Sequence, residues 1–291
     1  MEAALALCRF AHFLAAMVAF GASAYLWLLT PAALRRELSV ELRRVVLVAG
    51  VVVLLSAILW VALESAAMAD DWSGVWNPEM LRGVLFDTAF GRLWQARLVL
   101  CAVLAAALAV RADNRWGLRT GLAALTLASL GLTGHAAMQT GGLGALHRGA
   151  DALHLLCGGA WIGGLLPFAL CLLVCSRPEL RGEAVTAMMR YSRYGHFFVA
   201  LIVLSGVTNV ALTSGALPFP PSSPYRALLL AKIALVACLV ALAIVNRYVI
   251  VPRWGADEKA LRALRATSMA EIALAAVIVG LVSVFGLLDP A

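Results

Sequence analysis

The chain has little charge. Asp, Glu, Lys and Arg make up only 13% of its 291 residues, whereas 63% are hydrophobic. A soluble domain carries about a quarter charged residues and is about half apolar. These figures exclude an ordinary soluble domain, a disordered chain and a nucleic-acid binder with a basic surface. Cysteine is sparse as well: six residues scattered along apolar stretches, with no CxxC pair and no CxxCH. That excludes a disulfide framework, a thioredoxin-type redox motif and covalently attached haem. No glycine-rich phosphate loop ending in Lys-Ser or Lys-Thr occurs, no H-E-x-x-H and no strong nucleophile elbow. The sequence therefore carries no sign of a nucleotide-driven pump, a zinc protease or a serine hydrolase. The first apolar run lacks a small-residue cleavage site and is expected to be a retained helix.

What the chain does have is long apolar runs. A membrane-spanning helix needs about 20 mostly apolar residues. Eight such stretches are expected, near 4–29, 45–67, 93–110, 118–138, 149–175, 196–214, 226–246 and 269–287. The fold class this implies is an all-α polytopic membrane protein, residues 1–291 forming one eight-helix bundle with no soluble domain. Sixteen of the 23 Lys and Arg residues fall in the first, third, fifth and seventh connections. Arg35, Arg36, Arg43 and Arg44 lie in the first, and Arg111, Arg115 and Arg119 in the third. The second, fourth and sixth hold only Arg82, Arg92, Arg148 and Arg226. Positive connections stay on the cytoplasmic side, so both termini are expected to face outward, into a periplasm or its equivalent.

Ionisable residues at membrane depth are costly and mark function by default. With that orientation, His12, Glu64, His135, Asp151, His154, Asn209 and Lys232 fall in one layer near the outer third of the membrane. On the fifth span, His147, Asp151, His154, Gly158 and Trp161 share one narrow stripe at helical spacing. A carboxylate beside a histidine orients the ring and fixes its tautomer, the usual supporting role at a metal. His135 and Met138 share a face, as do Cys8 and His12. Histidine, methionine and cysteine together suit copper, because thioether and thiolate favour Cu(I) and imidazole accepts Cu(I) or Cu(II). The expected metal ligands are His12, His135 and His154, with Met138, His147, Asp151 and Glu64 in support. Lys232, Asn209 and Trp161 complete a polar network in which Lys232 balances either Glu64 or Asp151. Trp72, Trp76, Trp94 and Trp161 fit an outer aromatic belt. Towards the inner side, Asn246, His196 and Glu271 are either an exit or interface anchors, and Cys171 and Cys175 either an inner stop or filling.

An ordered series of motifs runs along these spans. It comprises Phe86-Asp87-Thr88-x-Phe90-Gly91-x-x-Trp94-x-x-Arg97, Gly134-His135-Ala136, Asp151-x-x-His154 followed by Trp161-x-Gly163-Gly164, Gly206-x-x-Asn209, Tyr225 with Lys232, and Asn246-Arg247. The series resembles the CopD (PcoD) family of copper-resistance membrane proteins over nearly the whole chain. The resemblance implies copper transport or handling at the inner membrane, with a separate periplasmic CopC-like copper-binding protein as partner. Two alternatives stand beside transport. One is a membrane redox protein holding haem b between His135 and His154, since two histidines from different helices suffice for axial ligation. The other is a non-transporting, copper-binding assembly component. No residue is assigned a catalytic role.

Overall fold

The computed structural model describes residues 1–134, 139–214, 223–253 and 258–288, apart from the side chains at 113, 214 and 258. These form nine α-helices: α1 (Glu2–Ala24), α2 (Ala32–Ala69), α3 (Pro78–Asp87), α4 (Ala89–Ala109), α5 (Trp116–Ala128), α6 (Gly141–Val174), α7 (Pro178–Ser214), α8 (Pro224–Val245) and α9 (Glu258–Phe285). Single π-turns extend α1 over Tyr25–Leu29 and α8 over Asn246–Ile250, and a 3₁₀ turn extends α5 over Ser129–Leu132.

Among the described residues, seven helices are long and apolar enough to cross a membrane: α1, α2, α4, α6, α7, α8 and α9. Eight spans were expected. The difference is α5, whose 13 residues and 3₁₀ extension stop at Leu132. The last residues of that expected span, 135–138, lie outside the described residues. Several helices outrun their apolar segments. α2 has 38 residues, because Arg35, Arg36, Arg43 and Arg44 are good helix formers and prolong it past the apolar stretch. The Pro78–Asp87 stretch, within the expected second connection, is a separate helix. Pro78 opens it, and the Asn77 side chain accepts from the Glu79 and Met80 amides. α2 ends at Asp70, whose φ of 50° is the left-handed cap that releases the chain into this segment.

α1 is the centre of the assembly. It packs against α2, α5, α6 and α9, so one core draws on both halves of the chain. Its crossing with α6 is made by backbone. A Cβ on Gly163 would overlap the Met17 carbonyl oxygen, and one on Gly21 would overlap the Gly159 carbonyl. Small residues are how membrane helices reach van der Waals contact, since lipid offers no hydrophobic drive for association. α6 runs through Pro167 without a break. The Arg9 guanidinium in α1 lies against Gly286, just past α9, and Gly280 faces Phe10. The start of α1 and the end of α9 therefore meet at one end of the bundle.

Candidate functional site

Two polar clusters lie toward the end that carries the termini, on opposite sides of the α1–α6 crossing. The first is built on His12 of α1, which is fully buried. Its Nδ1 stands 2.8 Å from Ser56 Oγ on α2, and its Nε2 is 2.7 Å from Arg97 Nη2 on α4. The proton positions follow from the partners. Ser56 gives its hydroxyl hydrogen to the Val52 carbonyl at 2.5 Å, so it accepts from His12 Nδ1–H. Arginine only donates, so His12 Nε2 is the acceptor. Both ring nitrogens are engaged, and a guanidinium occupies the position a metal would take at Nε2. Cys8, one turn earlier, donates from Sγ to the Ser56 carbonyl at 3.2 Å.

The surroundings account for Thr88, Phe90, Gly91, Trp94 and Arg97 of the Phe86–Arg97 motif. Thr88 caps α4 by accepting from the Gly91 amide at 2.8 Å. Gly91 leaves room for the Val84 and Leu85 carbonyls of α3. Phe90 stacks on Trp94 at 4.7 Å between ring centroids, and Trp94 Nε1 donates to the Ala57 carbonyl at 2.9 Å. Arg97 Nη1 donates to Ser129 Oγ at 2.5 Å, and its guanidinium lies 5.2 Å from the Trp94 ring centroid. Trp94 is thus fully buried, not a member of the lipid-facing belt as expected. A tryptophan whose N–H finds a carbonyl inside the bundle has no need of the interface. Trp72 and Trp76 are exposed, as a belt requires. Glu64 accepts from Trp60 Nε1 at 3.0 Å and feels the charge of Arg9, whose guanidinium sits 5.2 Å from the Trp60 ring. Arg9, Ser56 and Ser129 were not singled out from the sequence. Arg9 was findable, since a charged residue three before His12 shares its face.

The second cluster joins α6, α7 and α8. Asp151 Oδ1 accepts from Asn209 Nδ2 at 3.1 Å. His154 Nδ1 is 3.1 Å from both the Ile202 carbonyl and Ser205 Oγ. A carbonyl only accepts, so Nδ1 carries the hydrogen and Nε2 holds the lone pair. No described residue bonds to that Nε2. Gly206 faces the ring, a Cβ there standing 3.4 Å from Cε1. Lys232 of α8 interacts electrostatically with Asp151 and His154, and its Nζ sits 5.6 Å from the Phe285 ring centroid. Of its two expected counter-charges it is Asp151, not Glu64, that Lys232 meets. Two turns before His154, buried His147 donates from Nδ1 to Gln139 Oε1 at 2.8 Å, and its Nε2 is 3.5 Å from Thr213 Oγ1. Trp161 is buried, and its carbonyl accepts from the Tyr191 hydroxyl at 2.5 Å.

The structure thus brings Asp151, His154, Asn209 and Lys232 together and puts His12 and Glu64 in a different cluster. His135 and Met138 lie outside the described residues. Among the described residues, no three His, Cys, Asp or Glu side chains are placed to hold one metal ion. At the far end, Asn246 Nδ2 donates to Glu271 Oε1 at 2.7 Å, and both are buried. His196 Nε2 and the Tyr248 hydroxyl are 3.0 Å apart on an exposed face. Tyr25 and Cys171 meet at 3.4 Å in the core.

Comparison with known proteins decides the family. Residues 1–145 match the model of the copper resistance protein D-like N-terminal domain, and residues 185–285 match that of copper resistance protein D. The chain belongs to the copper resistance protein D family. It is 34% identical over 285 residues to the inner membrane protein YebZ of Escherichia coli K12, covering 97% of each chain. It is 31% identical over 304 residues to copper resistance protein D of Pseudomonas syringae pv. tomato, covering 97% of this chain and 95% of that one. It is 30% identical over 165 residues to the copper transport protein CutJ of Bacillus subtilis, covering 53% of this chain and 30% of CutJ. No solved structure matches. The chain is a polytopic inner-membrane protein of this copper-resistance family.

Proposed function

We propose that this protein takes up copper from the periplasmic side and passes it across or into the inner membrane, using the α6–α7–α8 cluster as its entry site. The observation that carries the reading is the state of His154. Its Nδ1–H is spent on the Ile202 carbonyl and Ser205, which leaves Nε2 as a lone pair that no described residue bonds, one helical turn from Asp151. A metal-binding histidine is held in this way, its second nitrogen donating to a carbonyl so that tautomer and ring direction are fixed. Copper is the cargo. His147 lies two turns nearer the end bearing the termini and is the next imidazole on the same stripe. His135 and Met138 precede it in sequence and are the expected additional ligands. Asp151 attracts the cation while Asn209 holds its carboxylate, and Lys232 keeps the cluster from becoming an open cation pore. His12 serves the neighbouring helices as a structural acceptor.

The orientation belongs to this reading as well: one membrane domain crossing eight times, both termini periplasmic, with the arginine-rich connections in the cytoplasm. Relatives named for copper resistance and copper transport support copper as the cargo. A separate periplasmic copper-binding protein of the CopC type is the proposed donor.

The test is bound metal and cellular copper together. Wild type purified in mild detergent from copper-supplemented cells should hold copper. His154→Ala should lose it and lower cellular copper, while eluting as a folded monodisperse species. Unchanged copper in a well-expressed His154→Ala variant overturns the reading. Bound iron with a Soret band that shifts on reduction would assign the cluster to haem instead.

A further inference from the structure

A cavity of about 570 Å³ opens at the end of the bundle away from the termini, between the amino-terminal part of α2 and the α4–α5 connection. Its walls are of two kinds. Arg43, Arg44 and Arg111 supply charge, and Val40, Leu47 and Trp116 supply apolar surface. Arg119 closes the floor. It is buried, donates to the Ala107 carbonyl at 3.2 Å and the Val110 carbonyl at 2.6 Å, and lies 4.4 Å from the Trp116 ring centroid. Arg119 thus ties the end of α4 to α5 and fixes the cavity's shape.

The other three arginines have no carboxylate partner among the described residues. The acidic residues of the same stretch of α2 point elsewhere. Glu37 pairs with Arg177 on the α6–α7 turn, and Glu41 also feels Arg177. In the 111–115 connection, Asp113 is the single acidic residue beside Arg111 and Arg115. Arg43, Arg44 and Arg111 therefore gather guanidinium groups at the cavity without an ion-pair partner among the described side chains.

Its depth is fixed by the sequence. α2 is 38 residues long, about 57 Å at about 1.5 Å per residue, against a hydrocarbon core of about 30 Å. The uninterrupted apolar run begins at Val45, and that of α4 ends at Val110. Arg43, Arg44 and Arg111 thus stand at the polar boundary of the bilayer, where lipid phosphates lie. Below them, Val48, Val51 and Leu55 of α2 are exposed and form an apolar track leading away from the arginines.

We infer that this cavity is a binding site for the headgroup of an anionic diacyl phospholipid. The arginines would hold its phosphodiester, and the exposed valine–leucine track of α2 would carry an acyl chain. Guanidinium groups match phosphate oxygens two at a time, which lysines do not. The track distinguishes a lipid from free phosphate, because an inorganic ion has no use for apolar surface beside its site. Basic pockets between membrane helices at the headgroup level are suited to such lipids.

The experiment is native mass spectrometry of the full chain in detergent, with phosphatidylglycerol and phosphatidylcholine of the same acyl length as probes. Wild type should retain phosphatidylglycerol in preference to phosphatidylcholine, and millimolar inorganic phosphate should not displace it. Removing an arginine contact weakens such binding about fivefold, so Arg43→Gln with Arg44→Gln should weaken it about 25-fold. Arg111→Gln, in a connection that no helix depends on, gives a separate reading of about fivefold should the double variant fail to fold. Arg82→Gln, exposed on α3, should leave retention unchanged and so controls for bulk charge. Equal retention of the two lipids, unchanged retention in the folded variants, or displacement by inorganic phosphate would each overturn the assignment.

Discussion

Replacing His12 with alanine removes the acceptor on which a buried guanidinium depends. Arg97 is 3% exposed, and its Nε has no hydrogen-bond partner among the described residues. Its two terminal nitrogens are satisfied by His12 at 2.7 Å and Ser129 at 2.5 Å. A hydrogen bond to a charged group contributes about 1.5–3 kcal/mol, and leaving a buried charge without its partner raises the cost to about 3–5 kcal/mol. His12→Ala should therefore lose about 3–5 kcal/mol of stability. His12→Gln should lose about 1 kcal/mol, because a glutamine oxygen still accepts from Arg97 and only the Ser56 bond is lost. Trp60, 5.8 Å from the His12 ring and edge-on to it, is a built-in fluorescence reporter for denaturant titration in mild detergent. An alanine variant as stable as wild type would refute the assignment of His12 as the structural acceptor. So would a glutamine variant that is stable but has lost bound copper, since the ring itself would then be a metal ligand.

Four further outcomes are expected. Gly163→Ala puts a methyl group into the Met17 carbonyl, so the variant should be destabilised by at least about 1–3 kcal/mol in the same titration. Ser205→Ala keeps the Ile202 carbonyl as the partner of His154, so it should retain copper that His154→Ala loses; elemental analysis of the two purified proteins makes the comparison. Asn77→Ala removes the cap of α3 at a cost of about 1 kcal/mol, and hydrogen exchange should quicken across Pro78–Asp87 while the spans are unaffected. Glu271→Gln preserves an acceptor for Asn246, so stability should hold while any dependence of copper uptake on that buried charge disappears, read as uptake against external pH.

The membrane character and most of the spans were legible because each is written by a run of apolar residues, a signal that needs no knowledge of neighbours. Helix ends were less so. α2, α7 and α9 continue well beyond their apolar segments, and nothing in hydropathy separates a charged helical extension from a charged loop. α3 was missed for the same reason: its signature is Asn77 followed by Pro78, not an apolar run. At the candidate site, the stripe His147–Asp151–His154 was readable from spacing within one helix, and the electrostatic influence of Lys232 on Asp151 was one of two open choices. The separation of His12 from His154 was not readable. Depth along a helix is a property of the sequence, but which helix a residue faces is decided by packing. His12 faces α2 and α4, whereas His154 faces α7, and hydropathy along α1 and α6 carries no record of that difference.

The glycine crossing of α1 and α6 has a mechanical consequence. A contact made of backbone has no rotamers to exchange and no second packing to settle into, so α1 and α6 act as a fixed post. α7 is pinned to this post near its middle, where the Tyr191 hydroxyl meets the Trp161 carbonyl and its ring fills the space over Gly164. Nearer the start of α6, the hydrogen bonds between α6 and α7 run through polar side chains of the cluster: Asn209 on Asp151, and His154 on Ser205 and the Ile202 carbonyl. The part of α7 beyond Tyr191 is thus fastened to α6 through the same cluster that would receive the cargo, so a change in that cluster bears directly on how α7 sits against the post.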